Sequence, residues 1–256
     1  MLLLFCGLLL MGSGLNINNT QAQTRNVQTK HVICIDPGHQ AKGDSHVEAI
    51  SPGSSIKKAK VTTGATGIKT KITESQLALT VSKQLRKSLV NSEYEVVITR
   101  EKQDVNISNQ RRAQICNQVN AEITIRIHAD SSTNPTIRGY SVLYPDSIVK
   151  STNLIASQSL AFAKTLDQNY EKITGIQSRG LHKRGDLTGF NWSTVPTVVL
   201  EMGFLSNPEE DQLINSSKTQ IKIVTAITKA IQVYFGKLKQ LTIIESQLKN
   251  RLRFLF

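Results

Sequence analysis

Apolar residues form two kinds of pattern along the chain from residue 30 onward. Val32 to Ile35 is an uninterrupted apolar run that ends at Asp36-Pro37-Gly38, which is typical of a buried strand followed by a turn. After Thr73, which can cap a helix, apolar residues recur at every fourth position and predict a stripe that packs on a sheet: Leu77, Val81, Leu85 and Leu89.

The same two patterns alternate through the rest of the chain. Further strands are predicted at residues 95–99, 123–128, 139–144 and 197–201. Helices are predicted at about 108–118, 153–170 and 218–235. Strands that alternate with helices indicate an α/β fold with a largely parallel sheet covered on both faces.

Three segments fall outside this pattern. Residues 1–22 contain an apolar run and end at Thr20-Gln21-Ala22, which predicts a secretory signal peptide although no Lys or Arg precedes the run. A linker at 23–30 then precedes a single domain at 31–236. The stretch after the first strand, through residue 72, is expected to be a long loop. Residues 237–256 form a basic tail, either an extra surface helix or a poorly ordered end.

Composition narrows the class of protein. The 256 residues are 39% hydrophobic, which excludes a fully disordered chain. Subtracting 19 acidic from 31 basic side chains leaves a net charge of +12, which favours an acidic partner such as a nucleic acid, an anionic membrane or a cell-wall polymer. The three cysteines form no C-x-x-C pair, which excludes a zinc ribbon. Cys34 and Cys116 lie in apolar segments, which favours two buried free thiols over a disulfide.

Polar residues follow several predicted strands at the edge where a ligand binds in a parallel sheet. His39 follows the first strand, while His128 and Glu201 each end a later one, and Glu74 opens the first helix. Two imidazoles and a carboxylate can hold a catalytic zinc ion, and the remaining carboxylate can act as a base. Each residue also has a structural interpretation, since a histidine at a strand end is more often a hydrogen-bonded core residue. Spacing alone leaves both interpretations open.

Four segments, in this order, resemble the zinc-dependent N-acetylmuramoyl-L-alanine amidases, a family of bacterial cell-wall hydrolases. They are Cys34-Ile-Asp-Pro-Gly-His39, Thr73-Glu-Ser-Gln-Leu77, Arg126-Ile-His-Ala-Asp130 and Val195-Pro-Thr-Val-Val-Leu-Glu-Met-Gly-Phe-Leu-Ser-Asn207. Arg100 and Arg112 lie in further similar segments, and the loop is similar to that of a subgroup from spore-forming Gram-positive bacteria. The resemblance implies a single three-layer domain with a mixed, mostly parallel sheet of about six strands.

The resemblance also implies the site and the chemistry. His39, Glu74 and His128 are expected to bind one zinc ion and Glu201 to be the catalytic carboxylate, with the loop acids Asp44 and Glu48 ranked well below Glu74. The expected reaction is hydrolysis of the amide between N-acetylmuramic acid and L-alanine. The chain departs from the family at two positions that are candidate substrate contacts: Arg126, where Ser or another residue is common, and Asp130, where Asn is usual.

The expected setting is the cell wall outside the cell. The partners are then peptidoglycan and anionic wall polymers such as teichoic acids rather than nucleic acid, with no stable membrane insertion after processing and a monomeric enzyme. Two alternatives stay open: another zinc hydrolase of the wall, such as a peptidase or a deacetylase, and a catalytically weak wall-binding protein. His31, His46 and His182 match no ligand motif and are interpreted as structural or solvent-exposed.

Overall fold

The computed structural model describes residues 30–92 and 94–253, with the backbone alone at 242 and 245–253. The predicted signal peptide and most of the linker lie outside the described residues. The elements of the described part, in chain order, are β1 (Val32–Pro37), β2 (Asp44–Ala49), β3 (Lys57–Val61), α1 (Glu74–Asn91), β4 (Glu95–Ile98), α2 (Asn109–Gln118), β5 (Ile123–Asp130), β6 (Tyr140–Pro145), α3 (Asn153–Thr174), β7 (Ser178–Arg184), α4 (Thr188–Asn191), β8 (Thr197–Phe204), α5 (Pro208–Asn215) and α6 (Ser217–Arg253).

The described strands form a six-stranded sheet in the order β4-β1-β5-β8-β6-β7. Strands β4, β1, β5 and β8 are parallel, β6 is antiparallel to β8, and β7 is parallel to β6. Helices cover both faces, so the predicted α/β class and the mixed, mostly parallel sheet of about six strands are confirmed.

The two faces of the sheet differ in chemistry because side chains alternate along each strand. Ile33, Ile125 and Leu200 point to one face, where α1, α3 and α6 bury them in the main core. On the other face, Cys34 belongs to a small apolar cluster near the start of the strands. The side chains of Asp36, Arg126, His128 and Glu201 continue this second face toward the carboxyl ends. The second face is therefore apolar near the start of the strands and polar near their carboxyl ends, and a polar cleft lies at those ends.

The prediction of a long structureless loop before residue 72 is wrong. The segment contains an antiparallel hairpin of β2 and β3, which stands apart from the main sheet. Most hairpin side chains are polar, and only Glu48 and Val61 are buried, so neither strand has the apolar run that marks a buried strand. The indole nitrogen of Trp192 donates to the carbonyl oxygen of Ala49 at 2.8 Å and ties the hairpin to the segment after α4.

The preference for free thiols is also wrong, because Cys34 and Cys116 form a disulfide with a Cα separation of 5.5 Å. The bridge joins β1 to α2 across the second face of the sheet. An apolar environment suits a buried disulfide as well as a buried thiol, so burial did not distinguish the two states.

The last helix is longer than predicted, since α6 continues from residue 217 through the basic tail to 253. Of the two interpretations of the tail, the structure shows the helical one for residues 237–253. None of the described helices is both long enough and apolar enough to cross a membrane.

Candidate metal centre and cleft

Three predicted ligand residues meet at the carboxyl edge of the sheet. Nε2 of His39 lies 3.0 Å from Oε1 of Glu74, and Nδ1 of His128 lies 2.9 Å from the same oxygen. Their donor atoms all lie within 4.8 Å of one another. Each residue comes from a different element: the turn after β1, the first position of α1, and β5. Thr73 caps α1 with a full capping box, which fixes where the helix begins and so where Glu74 stands.

The hydrogen bond of His39 to the backbone decides which of its ring nitrogens is free. Nδ1 lies 2.8 Å from the carbonyl oxygen of Thr62. Because a carbonyl oxygen can only accept, Nδ1 carries the hydrogen and Nε2 keeps a lone pair that faces Glu74 and His128. A ligand histidine needs this arrangement, in which one nitrogen is oriented by a protein acceptor and the other is left for a metal.

Glu74 is buried and ionised. Burial alone would raise the pKa of its carboxyl group, but the adjacent imidazoles of His128 and His39 hold that pKa well below its ordinary value. Its oxygens also accept from the backbone N–H groups of Ala65 and Ala129, at 3.0 and 3.2 Å. Burial lowers the pKa of His128, which keeps the imidazole neutral, as a metal ligand must be.

Two buried arginines hold the turn that carries His39. Arg100 donates to the carbonyl oxygens of Pro37 and Gly38, at 3.0 and 2.7 Å. Arg112 donates to those of Pro37 and His39, at 2.7 and 2.8 Å. The turn has little room, because a Cβ on Gly38 would collide with the His128 ring. The family-like segments around the two arginines gave no hint of this function, which only the folded chain displays.

Glu201 lies next to His128 in the parallel register of β8 and β5. The strand continues past Glu201 to Phe204, beyond the predicted end, and its register shifts after the His128 and Glu201 pair. Such a bulge turns a strand locally and is common beside active sites.

Burial, with the like charges of Glu74 and Asp130, raises the pKa of Glu201 well above its ordinary value. A raised pKa makes the Glu201 carboxylate a stronger base.

A cleft of about 380 Å³ extends from these residues along the second face of the sheet. Arg126, His128 and Glu201 line it, together with Lys58 from the hairpin. Asp130 lies beside His128 and Glu201 in an adjoining depression at the edge of the sheet. The structure thus brings all six predicted site residues to one connected region: His39, Glu74, Arg126, His128, Asp130 and Glu201.

Sequence reasoning missed a charged cluster that also lines the cleft. Asp186 accepts from Nε of Arg184 at 2.7 Å and from Nζ of Lys58 at 3.2 Å. Lys58 lies in the polar strand β3 of the hairpin, and Arg184 ends the polar edge strand β7, so neither strand has an apolar pattern that marks it in the sequence. No spacing pattern links Lys58 to Asp186, since 128 positions separate them.

The lower-ranked acids and the other histidines lie outside the cluster. Asp44 accepts from Nδ1 of His46 at 2.6 Å, and Glu48 accepts from the backbone N–H of Gln110 at 3.0 Å. His31 stacks on Phe235, with ring centroids 4.0 Å apart. His46 and His182 are exposed or partly exposed and make local hydrogen bonds.

The donor set fits a zinc ion in its chemistry. Two neutral imidazole nitrogens and one carboxylate oxygen are the three protein ligands that several catalytic zinc sites use, leaving a further position for water or substrate. Glu74 Oε1 lies about 3 Å from both nitrogens, so the three donors already converge on one point. Fold and site together define an α/β enzyme with a candidate metal centre at the carboxyl edge of its sheet.

Comparison with known proteins names the family. The family model described as N-acetylmuramoyl-L-alanine amidase matches residues 33–233. AmiA of Salmonella typhimurium, an N-acetylmuramoyl-L-alanine amidase, is 24% identical over 255 residues, which cover 85% of this chain and 80% of that protein. The chain belongs to the N-acetylmuramoyl-L-alanine amidase family of enzymes, which confirms the resemblance found in the sequence.

Solved structures share the fold. Ami1 of Mycobacterium smegmatis matches with a TM-score of 0.73 and 24% identity, over 81% of this chain and 97% of that one. The CwlD amidase of Clostridioides difficile, solved in complex with the GerS lipoprotein, matches with a TM-score of 0.61 and 22% identity, over 81% and 99%. At these identities the two structures support the fold, and the site rests on the residues of this chain.

Proposed function

We propose that the protein hydrolyses the amide between N-acetylmuramic acid and L-alanine in peptidoglycan, with zinc bound by His39, Glu74 and His128 and with Glu201 as the general base. One observation carries the proposal: His39 Nε2, Glu74 Oε1 and His128 Nδ1 converge beside Glu201 at the wall of a cleft. Peptidoglycan amidase activity is the function of the family to which the chain belongs.

Each residue of the site has a separate role in the proposed reaction. When bound, zinc would act as a Lewis acid and could lower the pKa of a coordinated water to about 7. Glu201 accepts the proton of the attacking water and returns it to the departing amine of L-alanine, a contribution of ~10²–10⁴-fold. Thr62 keeps His39 in the tautomer that leaves Nε2 free, and the backbone N–H groups of Ala65 and Ala129 orient the carboxylate of Glu74. Arg126 lines the cleft and Asp130 lines the adjoining depression, on either side of His128 in β5.

The proposed place of action is the cell wall, after export directed by residues 1–22. The net charge of +12 favours binding to anionic wall polymers, which would hold a monomeric enzyme near its substrate. N-terminal sequencing of secreted protein should find a start near Gln23, and an intact Met1 in a soluble cytoplasmic protein would contradict export.

Product analysis tests the reaction. Purified peptidoglycan is digested, and the fragments are examined by mass spectrometry. New amino termini on alanine, paired with intact lactyl carboxyl groups on muramic acid, are the expected result. Released acetate would indicate a deacetylase, termini at other residues a peptidase, and no product a wall-binding protein.

Metal analysis tests the ligands separately. Glu74→Ala should lower zinc content and activity together, because the carboxylate oxygen near both imidazoles is removed. Glu48→Ala is the matched control, since Glu48 is a buried glutamate outside the cluster. Full zinc occupancy and full turnover in Glu74→Ala would show that another group is the third ligand.

A further inference from the structure

The cleft contains a guanidinium nitrogen that the described residues leave without a partner. Arg126 is only 6% exposed, and two of its three nitrogens are satisfied. Nε donates to Asp36 at 2.7 Å, and Nη2 donates to Asn109 at 2.9 Å. Nη1 makes no hydrogen bond with any residue that the structure describes, and it lies against Gly189 on the wall of the cleft.

Positive charge is in excess around this nitrogen. Asp36 is shared by Arg112 and Arg126, so one carboxylate serves two buried guanidinium groups. Asp186, which also lines the cleft, is already paired with Arg184 and Lys58. Glu201 attracts Arg126 but forms neither a hydrogen bond nor an ion pair with it in the described structure. Since the Nη1 donor has no acceptor in the described structure, an anion that enters the cleft would be stabilised there.

The chemistry of the group favours a carboxylate. An N–H group of a guanidinium donates a charge-assisted hydrogen bond to a carboxylate oxygen, which is roughly twice as strong as a hydrogen bond to a neutral carboxamide oxygen. The donors of Arg126 are fixed by Asp36 and Asn109 before any ligand arrives, so little side-chain entropy is lost on binding.

The position of Arg126 indicates which carboxylate of the substrate it would meet. Arg126 precedes His128 by two residues on the same face of β5, a distance of ~7 Å along the strand. An extended peptide covers the same ~7 Å in two residues, which is the separation between the nitrogen of L-alanine and the carboxylate of the next residue.

We infer that Arg126 is a specificity residue that binds a free carboxylate on the residue after L-alanine. The preferred substrates are then N-acetylmuramoyl peptides that carry a carboxylate there rather than a carboxamide. This inference rests on the proposed function, because it takes the scissile amide to lie at the candidate metal centre.

Two matched substrates test the inference: N-acetylmuramoyl-L-alanyl-glycine and its C-terminal amide, which differ only in the carboxylate. The zinc-loaded wild-type enzyme should hydrolyse the acid with a kcat/KM about tenfold or more above that of the amide, as expected for one hydrogen-bonded ion pair. The preference should shrink as salt is added. Equal kcat/KM values for the two substrates would overturn the inference.

Substitutions assign the preference to Arg126. Arg126→Gln should bring the ratio of the two kcat/KM values close to one, whatever the absolute rates. Arg86→Gln, which removes an exposed arginine paired with Glu101, is the control and should keep the wild-type ratio. An unchanged ratio in folded Arg126→Gln would overturn the assignment.

A second variant is informative even if Arg126→Gln fails to fold. In Gly189→Ala the new Cβ would collide with Nη1 of Arg126, so the guanidinium must move while its charge is kept. The ratio should fall here too, and a wild-type ratio would count against the inference. Failure of the wild-type enzyme on both substrates would instead overturn the proposed function.

Discussion

Nη2 of Arg112 donates to the backbone carbonyl oxygen of His39 at 2.8 Å, so a fully buried guanidinium positions a candidate metal ligand through its backbone. The contact matters because His39 has a positive φ of 54°, a conformation that needs support in a residue with a side chain. Arg100 secures the two preceding residues in the same way.

Arg112→Met should therefore lower both stability and zinc affinity. Removing one partner of a buried ion pair costs about 3–5 kcal/mol, because Asp36 loses a charged donor. The His39 turn also loses its support, so zinc titration should show weaker binding in the fraction that folds. Wild-type zinc affinity in a destabilised variant would show that Arg112 supports the fold but does not position the ligand.

Gly64 offers a test of crowding at the metal centre. It has a φ of +82°, and a Cβ there would lie 2.8 Å from both Oε2 of Glu74 and Cγ of His39. Gly53 has a φ of +73° with nothing within 4 Å, so Gly53→Ala carries the backbone strain without the collision. Gly53→Ala should lose about 1 kcal/mol of unfolding free energy from the strain, and Gly64→Ala should lose more because of the collision, but only Gly64→Ala should lose zinc. Equal zinc content in the two variants would contradict this placement of Glu74 and His39.

The Asp36 carboxyl group should make the free energy of unfolding depend on pH. Burial would raise its pKa, but Arg112 and Arg126 hold it well below the ordinary value of 3.8. The ionised form is thus favoured by folding, so its stabilisation is complete above pH ~4 and is lost as the pH falls below the ordinary value. Urea unfolding from pH 3 to 7 should show a difference between wild type and Asp36→Asn that shrinks toward the acid end. A difference independent of pH would show that Asp36 acts through packing alone.

The disulfide should stabilise the protein without taking part in its chemistry. It joins residues 82 positions apart and lies on the sheet below the cleft. The double variant Cys34→Ala and Cys116→Ala should lose ~2–4 kcal/mol of unfolding free energy. Its amidase rate at low temperature, where it stays folded, should match wild type. Mass spectrometry with and without reductant confirms the bridge, and two free thiols in oxidised, native protein would contradict it.

Sequence patterns predicted the elements that bury a regular apolar surface. Ile33 and Ile35 of the first apolar run face the main core, as does the stripe that begins at Leu77, so burial there constrains every second residue of the strand and every fourth residue of the helix. Strands β2, β3 and β7 escaped prediction because they lie in a separate hairpin and at a sheet edge, where most of their side chains are polar and few are buried.

The candidate site was predictable only in part, for a related reason. His39, Glu74, His128 and Glu201 lie at element ends, and topology brings the ends of parallel strands together. Hydrogen bonds such as those of Arg112 to His39 and of Lys58 to Asp186 join distant segments with no common period. The state of Cys34 and Cys116 depended on the same kind of distant pairing, between β1 and α2.

The most direct test of the account is to measure zinc content and amide hydrolysis together in Glu201→Gln. Glutamine keeps the shape of the side chain but cannot accept the proton of the attacking water. Zinc content should stay at the wild-type level, because His39, Glu74 and His128 are untouched, while hydrolysis should fall by at least ~10²-fold. Loss of zinc would make Glu201 a ligand or a structural partner, and near-normal hydrolysis with zinc retained would mean that another group activates the water.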